Sequence, residues 1–289
     1  MTSADALERT GGPAPRMVRL LLVLLWATAV ATVAVELLNW WVTDEGGYAL
    51  FVRTAWALLR SLAFLVLIWQ VRRGRASAQP FALILCVTTL FALARLVVPR
   101  QGLPEVLGLV GFAVVALLCT AVLLLLYRST TVREHLTRHA NRIVVTRKGI
   151  DRRPAPPKRA PAPAWILTAR VAALSYSPLM LVGAAVALGQ VFAGRVTALP
   201  LVLGWFVVGV AVSYATLLVA FFLVQGRRWA AKALVVVSIL VVVVDLPLCW
   251  ILTGTDGLIR DGGPLLFAAL LALLALARTR ASRREPVAR

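Results

Sequence analysis

Several charged side chains lie within long apolar stretches of this 289-residue chain, among them Glu36, Arg60, Arg95 and Asp245. A charge at the centre of a hydrocarbon-spanning helix costs about 2.5–3.5 kcal/mol, so such residues are usually paired or line a wet cavity. Glu36 and Arg60 each lie about 9 Å from the near ends of their stretches at 1.5 Å per residue, which predicts an ion pair between neighbouring helices. Asn39 falls near that level. Asp245 is deeper, between Val244 and Leu246-Pro247, where the proline removes a backbone donor beside the carboxylate and favours a kink. Arg95 is its expected partner. Tyr176 and Ser177 precede Pro178, and Tyr214 follows Ser213, at similar depth. Together Asp245, Arg95, Tyr176, Ser177 and Tyr214 form a candidate midplane polar site, because interrupted helices at membrane depth often surround a ligand. The plainer alternative is that Arg95 reaches the surface, Asp245 is neutral or bonded to hydroxyls, and the hydroxyls tie helices together.

Other chemistry has little support. The chain has no H-E-x-x-H, nucleophile elbow, phosphate-cradling glycine loop or C-x-x-C. His135 and His139 stand at i and i+4, but two ligands without Cys or carboxylate neighbours at suitable spacing make a poor metal site. Cys86, Cys119 and Cys249 fall inside apolar runs and read as small hydrophobes. No metal and no cofactor are expected.

The elements that carry these residues follow from composition. The chain is 61% apolar with a mean hydropathy of +0.87, well above soluble domains. Runs long enough to cross hydrocarbon extend over Val18–Val42, Thr54–Val71, Phe81–Val98, Val106–Tyr127, Ala164–Val191, Leu201–Gln225, Ala233–Gly254 and Leu265–Ala277. In lipid the backbone must satisfy its own hydrogen bonds, so these runs are helical. The expected fold is an all-α integral membrane protein of about eight transmembrane helices.

The net charge of +19 comes from 31 Lys and Arg residues, and its distribution argues for topology rather than nucleic acid. Clusters at Arg16/Arg19, Arg72–Arg75, Arg128–Arg159, Arg227–Lys232 and Arg278–Arg289 alternate with short connections that carry only scattered charges, among them Asp44, Glu105, Asp256, Arg260 and Asp261. By the positive-inside rule both termini and the basic loop are cytoplasmic in a multi-pass protein of the cell membrane. This divides the chain into a tail (1–17), a first four-helix unit (18–127), a basic loop (128–163), a second four-helix unit (164–277) and a basic tail (278–289). A cleaved signal peptide is the competing reading of the first run, since Ala27-Thr28-Ala29 resembles a cleavage site. Apolar sequence continuing to Val35 and the anchor Trp40-Trp41 favour a retained helix.

An offset of about 150 residues lays Ala82-Leu83 on Ala233-Leu234, Arg95 on Asp245 and Arg128 on Arg278. Four spans per copy would make the copies parallel repeats. Two sets of four basic-flanked helices would also align this way without duplication. In the loop, Val132, Leu136, His139 and Ile143 recur at helical spacing, which predicts a short amphipathic helix on the inner surface. Arg133, Arg138, Arg142, Arg147 and Lys148 are its candidate contacts with anionic headgroups or a protein partner. Pro154, Pro156, Pro157, Pro161 and Pro163 then predict an extended linker.

Three functions compete. The first is a small transport-type or channel-type protein built around the midplane site. The second is a non-catalytic scaffold or assembly subunit that docks a partner through the basic loop. The third is a lipid-modifying enzyme, for which Glu36, Asp245 and Arg60 are the available acid, base and headgroup-binding groups.

Overall fold

The computed structural model describes residues 15–42, 47–94, 105–137, 141–146, 149–154 and 164–284. The described chain is helical apart from one hairpin. In order come α1 (Arg16–Val42), α2 (Tyr48–Arg72), α3 (Ala78–Leu93), α4 (Glu105–Arg128), α5 (Thr130–Thr137), β1 (Asn141–Thr146) and β2 (Gly149–Pro154). Then follow α6 (Ala164–Leu174), α7 (Tyr176–Phe192), a short 3-10 turn (Val196–Ala198), α8 (Leu199–Val224), α9 (Arg228–Gly257), a π-helical turn (Leu258–Gly262) and α10 (Gly263–Arg284).

Six apolar helical stretches are long enough to cross a membrane, which marks a multi-pass membrane protein: Arg16–Leu38, Leu50–Arg72, Gly108–Arg128, Ala164–Phe192, Val196–Val224 and Arg228–Thr279. The eight expected from sequence resolve differently among the described residues. The third is the 16-residue helix α3, rising about 24 Å against a hydrocarbon layer of about 30 Å. The seventh and eighth are joined in one 52-residue stretch, because the break at Gly254 is followed at once by a π turn that carries helical hydrogen bonding into α10. The break falls at Gly254 rather than at Pro247, through which α9 runs on.

Leu, Val and Ala cover these helices on all sides, and a helix without a polar face is a membrane or deep-core element. The lateral surface is accordingly apolar, with Val23, Val30, Leu117, Val207, Val236 and Val243 all exposed. Aromatic residues mark both ends, as at membrane interfaces. Trp41 is 90% exposed near one end. Toward the other, the guanidinium carbons of Arg73 and Arg75 lie 4.2 and 4.4 Å from the Trp69 ring centre, and Arg278 lies 5.9 Å from that of Trp165.

The interior divides into two apolar cores. One gathers residues of α1–α5, from Val18 to Leu136. The other gathers residues of α6–α10, from Ile166 to Leu276, together with Ile84 of α3. The seam between them is formed by α2 and α3 against α6, α7, the π turn and α10.

Helix α5 packs under the first core by burying Val132 and Leu136, and the His135 Nε2 group donates to the Val71 carbonyl at 3.0 Å. The amphipathic helix expected to reach Ile143 is shorter than that. It ends by Thr137, and Ile143 instead lies on β1, paired with Arg152 in a two-stranded antiparallel hairpin. Four consecutive β-branched residues, Ile143-Val144-Val145-Thr146, favour the strand over a further helical turn. Pro154 closes β2, while Pro156, Pro157, Pro161 and Pro163 lie outside the described residues.

Candidate functional site

The predicted pair between α1 and α2 is formed. An Arg60 guanidinium nitrogen lies 3.7 Å from a Glu36 carboxylate oxygen, and both side chains are almost fully buried. Arg60 also lies 5.9 Å from the Trp56 ring centre. A pair at such depth is expensive to desolvate and persists only where further contacts support it.

That support comes from residues that sequence reasoning left on an outer connection. The π turn after Gly254 swings Arg260 inward until it is 4% exposed. Arg260 lies 3.5 Å from Asp256 and 3.7 Å from Asp261. Glu36, Arg53, Trp56, Arg60, Thr88, Leu179, Val182, Arg260, Asp261 and Pro264 line one cavity of about 30 Å³ at the seam between the two cores. That volume accommodates one or two waters. Three guanidinium groups and two carboxylates line it, and Asp256, 3.5 Å from Arg260, adds a third carboxylate to the cluster. Asp256, with 36% of its side chain exposed, sits at the rim, where solvent screens it. The Arg260 Nε, Nη1 and Nη2 atoms and the Arg53 Nε atom are buried without a hydrogen-bond acceptor. Donors held in that way are suited to a small anion or to the anionic end of a larger molecule.

The chamber depends on the local sequence Gly254-Thr-Asp-Gly-Leu-Ile-Arg-Asp-Gly-Gly-Pro264. Gly254 takes φ 70°, ψ −164°, a conformation essentially restricted to glycine. The wider π turn then rotates two consecutive charged residues toward the interior, a distortion that recurs at functional sites. The readable signal was the i, i+4 pairing of Asp256 with Arg260 inside a glycine-rich stretch, because such a pair favours helix over loop.

Of the five residues expected at the midplane, the four that are described, Asp245, Tyr176, Ser177 and Tyr214, do not gather into one site. The Trp205 Nε1–H donates to Asp245 at 3.0 Å, and the Cys249 thiol donates to its other oxygen at 3.6 Å. Tyr176 and Ser238 share a hydrogen bond of 2.8 Å, and Ser177 bonds to Ser213. These contacts tie α8 to α9, α7 to α9 and α7 to α8, one link per pair, as interhelical hydrogen bonds do in membrane bundles. Tyr214 is 73% exposed because Ser213 takes the inward position, and neighbouring helical residues point about 100° apart. Arg95 lies outside the described residues. Trp205, which completes the Asp245 contact, went unnoticed because an apolar run gives no cue to which tryptophan turns inward.

Asp245 therefore acts as an acceptor within the second core. Asp245→Asn keeps an acceptor oxygen and is expected to leave the thermal midpoint of the detergent-purified protein nearly unchanged. Asp245→Leu strands the buried indole N–H and is expected to cost about 1–3 kcal/mol. Equal midpoints for the two variants would show that the bond contributes nothing.

Among the described residues no three His, Cys, Asp or Glu side chains converge as a metal site. Of the residues expected to meet headgroups, Arg133 is exposed on α5 and Arg142 belongs to β1, while Arg138, Arg147 and Lys148 lie outside the described residues. Compared with known proteins, the chain matches no family model, no curated protein and no solved structure.

Proposed function

We propose that this chain is a transport-type protein of the cell membrane whose working site is the charged chamber at the seam, taking a small anion or the anionic group of a larger solute. The observation that carries this reading is the convergence of Arg53, Arg60 and Arg260 on one cavity, with buried donors of Arg53 and Arg260 that have no hydrogen-bond acceptor. A bundle that needed polar contacts only for helix register would be served by the neutral ties around Tyr176 and Ser177. Buried guanidinium donors without an acceptor instead match a site completed by an incoming negative charge.

The chamber is walled by residues of both halves, where transporter sites built from two units commonly lie. Within the first half, α1 adjoins α2 and α4, and α3 adjoins α2 and α4; in the second, α6–α7, α8, α9 and α10 follow the same neighbour order. That correspondence supports two parallel four-helix units and eight crossings, with α3 and the divided Arg228–Thr279 stretch supplying the shorter and joined spans. The distribution of the basic clusters supports a cytoplasmic position for both termini and the 128–163 loop.

Thr88 borders the chamber and is 5% exposed, so Thr88→Cys in a cysteine-free chain reports on it with little change in volume. In membranes, a sulfonate-bearing methanethiosulfonate is expected to label this cysteine faster than its trimethylammonium counterpart, after normalising each to a free thiol. Arg260→Gln should remove the preference. Labelling without charge preference would rule out an anion site. Full protection from both reagents would point to a packed core and move the scaffold reading ahead.

A further inference from the structure

A second feature at the seam is a long lateral groove of about 630 Å³. Its walls are α2 and α3 on one side and α6 and the start of α7 on the other. Along α2 it runs from Trp56 to Gln70, about 21 Å at 1.5 Å per residue, more than the half-thickness of about 15 Å that one leaflet's chains occupy. The middle is apolar, with Ala63, Phe81, Ile84 and Val171 among its lining residues, and it opens sideways past the half-exposed Leu59, Leu62 and Val66.

Its two ends differ. One meets the chamber wall at Trp56, Arg60, Thr88 and Leu179. The other is basic and polar, with exposed Arg75 and the Gln70–Ser77 side-chain hydrogen bond of 3.2 Å at the rim, and exposed Arg170 lines the groove from α6. Arg75 also lies over Trp69, which places this mouth at the level of the aromatic belt, where headgroups reside.

We propose that the groove is a binding site for one anionic phospholipid, its phosphate at Arg75 and Arg170 and one acyl chain lying along α2 toward Arg60. Charge complementarity selects the lipid. Two exposed guanidinium groups along the groove attract a net negative headgroup and are donors to phosphate oxygens, whereas the apolar trough suits a hydrocarbon chain and rejects a free phosphate ion. The lateral opening lets the second chain remain in the bilayer. The groove shares Trp56, Arg60, Thr88 and Leu179 with the chamber, but Arg75 and Arg170 line the groove alone, so the headgroup contact does not depend on what the chamber carries.

The test is native mass spectrometry of the full chain in detergent, titrated with palmitoyl-oleoyl phosphatidylglycerol or with the phosphatidylcholine of the same chains. The first bound phosphatidylglycerol is expected to hold about tenfold more tightly than phosphatidylcholine. The double variant Arg75→Gln/Arg170→Gln should lose that advantage and leave phosphatidylcholine binding unchanged, and Ala63→Phe should weaken both lipids by obstructing the trough. Arg278→Gln, which removes a basic residue outside the groove, should change neither. Equal affinity for the two lipids, or an unchanged advantage in the double variant, overturns the proposal. Because both substituted arginines are exposed, that variant keeps its core intact and carries the test even if Ala63→Phe fails to fold.

Discussion

Glu36→Leu is expected to lower stability by about 3–5 kcal/mol, and adding Arg60→Leu is expected to restore most of the loss. The single change leaves the Arg60 guanidinium at 3% exposure without the carboxylate 3.7 Å away, and breaking one side of a buried pair has that typical cost. The loss is compounded in this chamber, because Arg53 and Arg260 line the same cavity and only Asp261 and the partly exposed Asp256 would then face three cations. Replacing both partners by leucine removes the desolvation cost together with the attraction, an exchange often neutral or stabilising in protein interiors. Thermal unfolding of the four chains of this double-mutant cycle, in one detergent, measures the coupling. If the double variant is less stable than Glu36→Leu alone, the two residues are not a pair in the energetic sense and Arg60 stabilises the fold by other contacts, its approach to Trp56 among them.

Gly254→Val is expected to cost about 1–3 kcal/mol and to dismantle the chamber, although no side chain of the chamber is changed. At φ 70°, ψ −164° a β-branched residue meets severe backbone clashes, even though the space around a Cβ at this position is open. The strain is relieved by returning residue 254 to helical angles, which redirects the turn that aims Arg260 and Asp261. Gly204→Ala is the matched control: this glycine lies in the second turn of α8, also has open space around it, and should gain slightly from the better helix former. Thr88→Cys labelling in each background separates the outcomes. Gly254→Val should change the rate or charge preference of the reagents, and Gly204→Ala should not. A Gly254→Val protein with unchanged stability and labelling would show that the bend is not set by this residue.

Much of the architecture was legible in sequence for a simple reason. Hydrocarbon imposes one rule on every crossing segment, that backbone groups be satisfied internally, and an uncharged run of sufficient length satisfies it only as a helix. The same economy exposed Glu36 and Arg60: charges that costly in lipid need one another, and similar depth on consecutive antiparallel segments brings them together. Asp245 was equally visible as a buried carboxylate, but depth alone did not reveal its partner. Its contacts come from Trp205 and Cys249, apolar-looking residues whose donors count only once helix rotation is known.

What the amino-acid sequence determined by itself is the set of apolar helices, the burial of Glu36 with Arg60, and the basic clusters that bracket the membrane segments. Only the tertiary structure decided that Arg260 and Asp261 turn inward, that Tyr214 turns outward, and that the seam carries both a charged chamber and an apolar groove. The division has a physical cause. Insertion into lipid depends on the composition of each segment taken alone, whereas the direction a side chain faces depends on the rotation of each helix against its neighbours and on a local break such as Gly254, which periodicity in a uniformly apolar run does not encode.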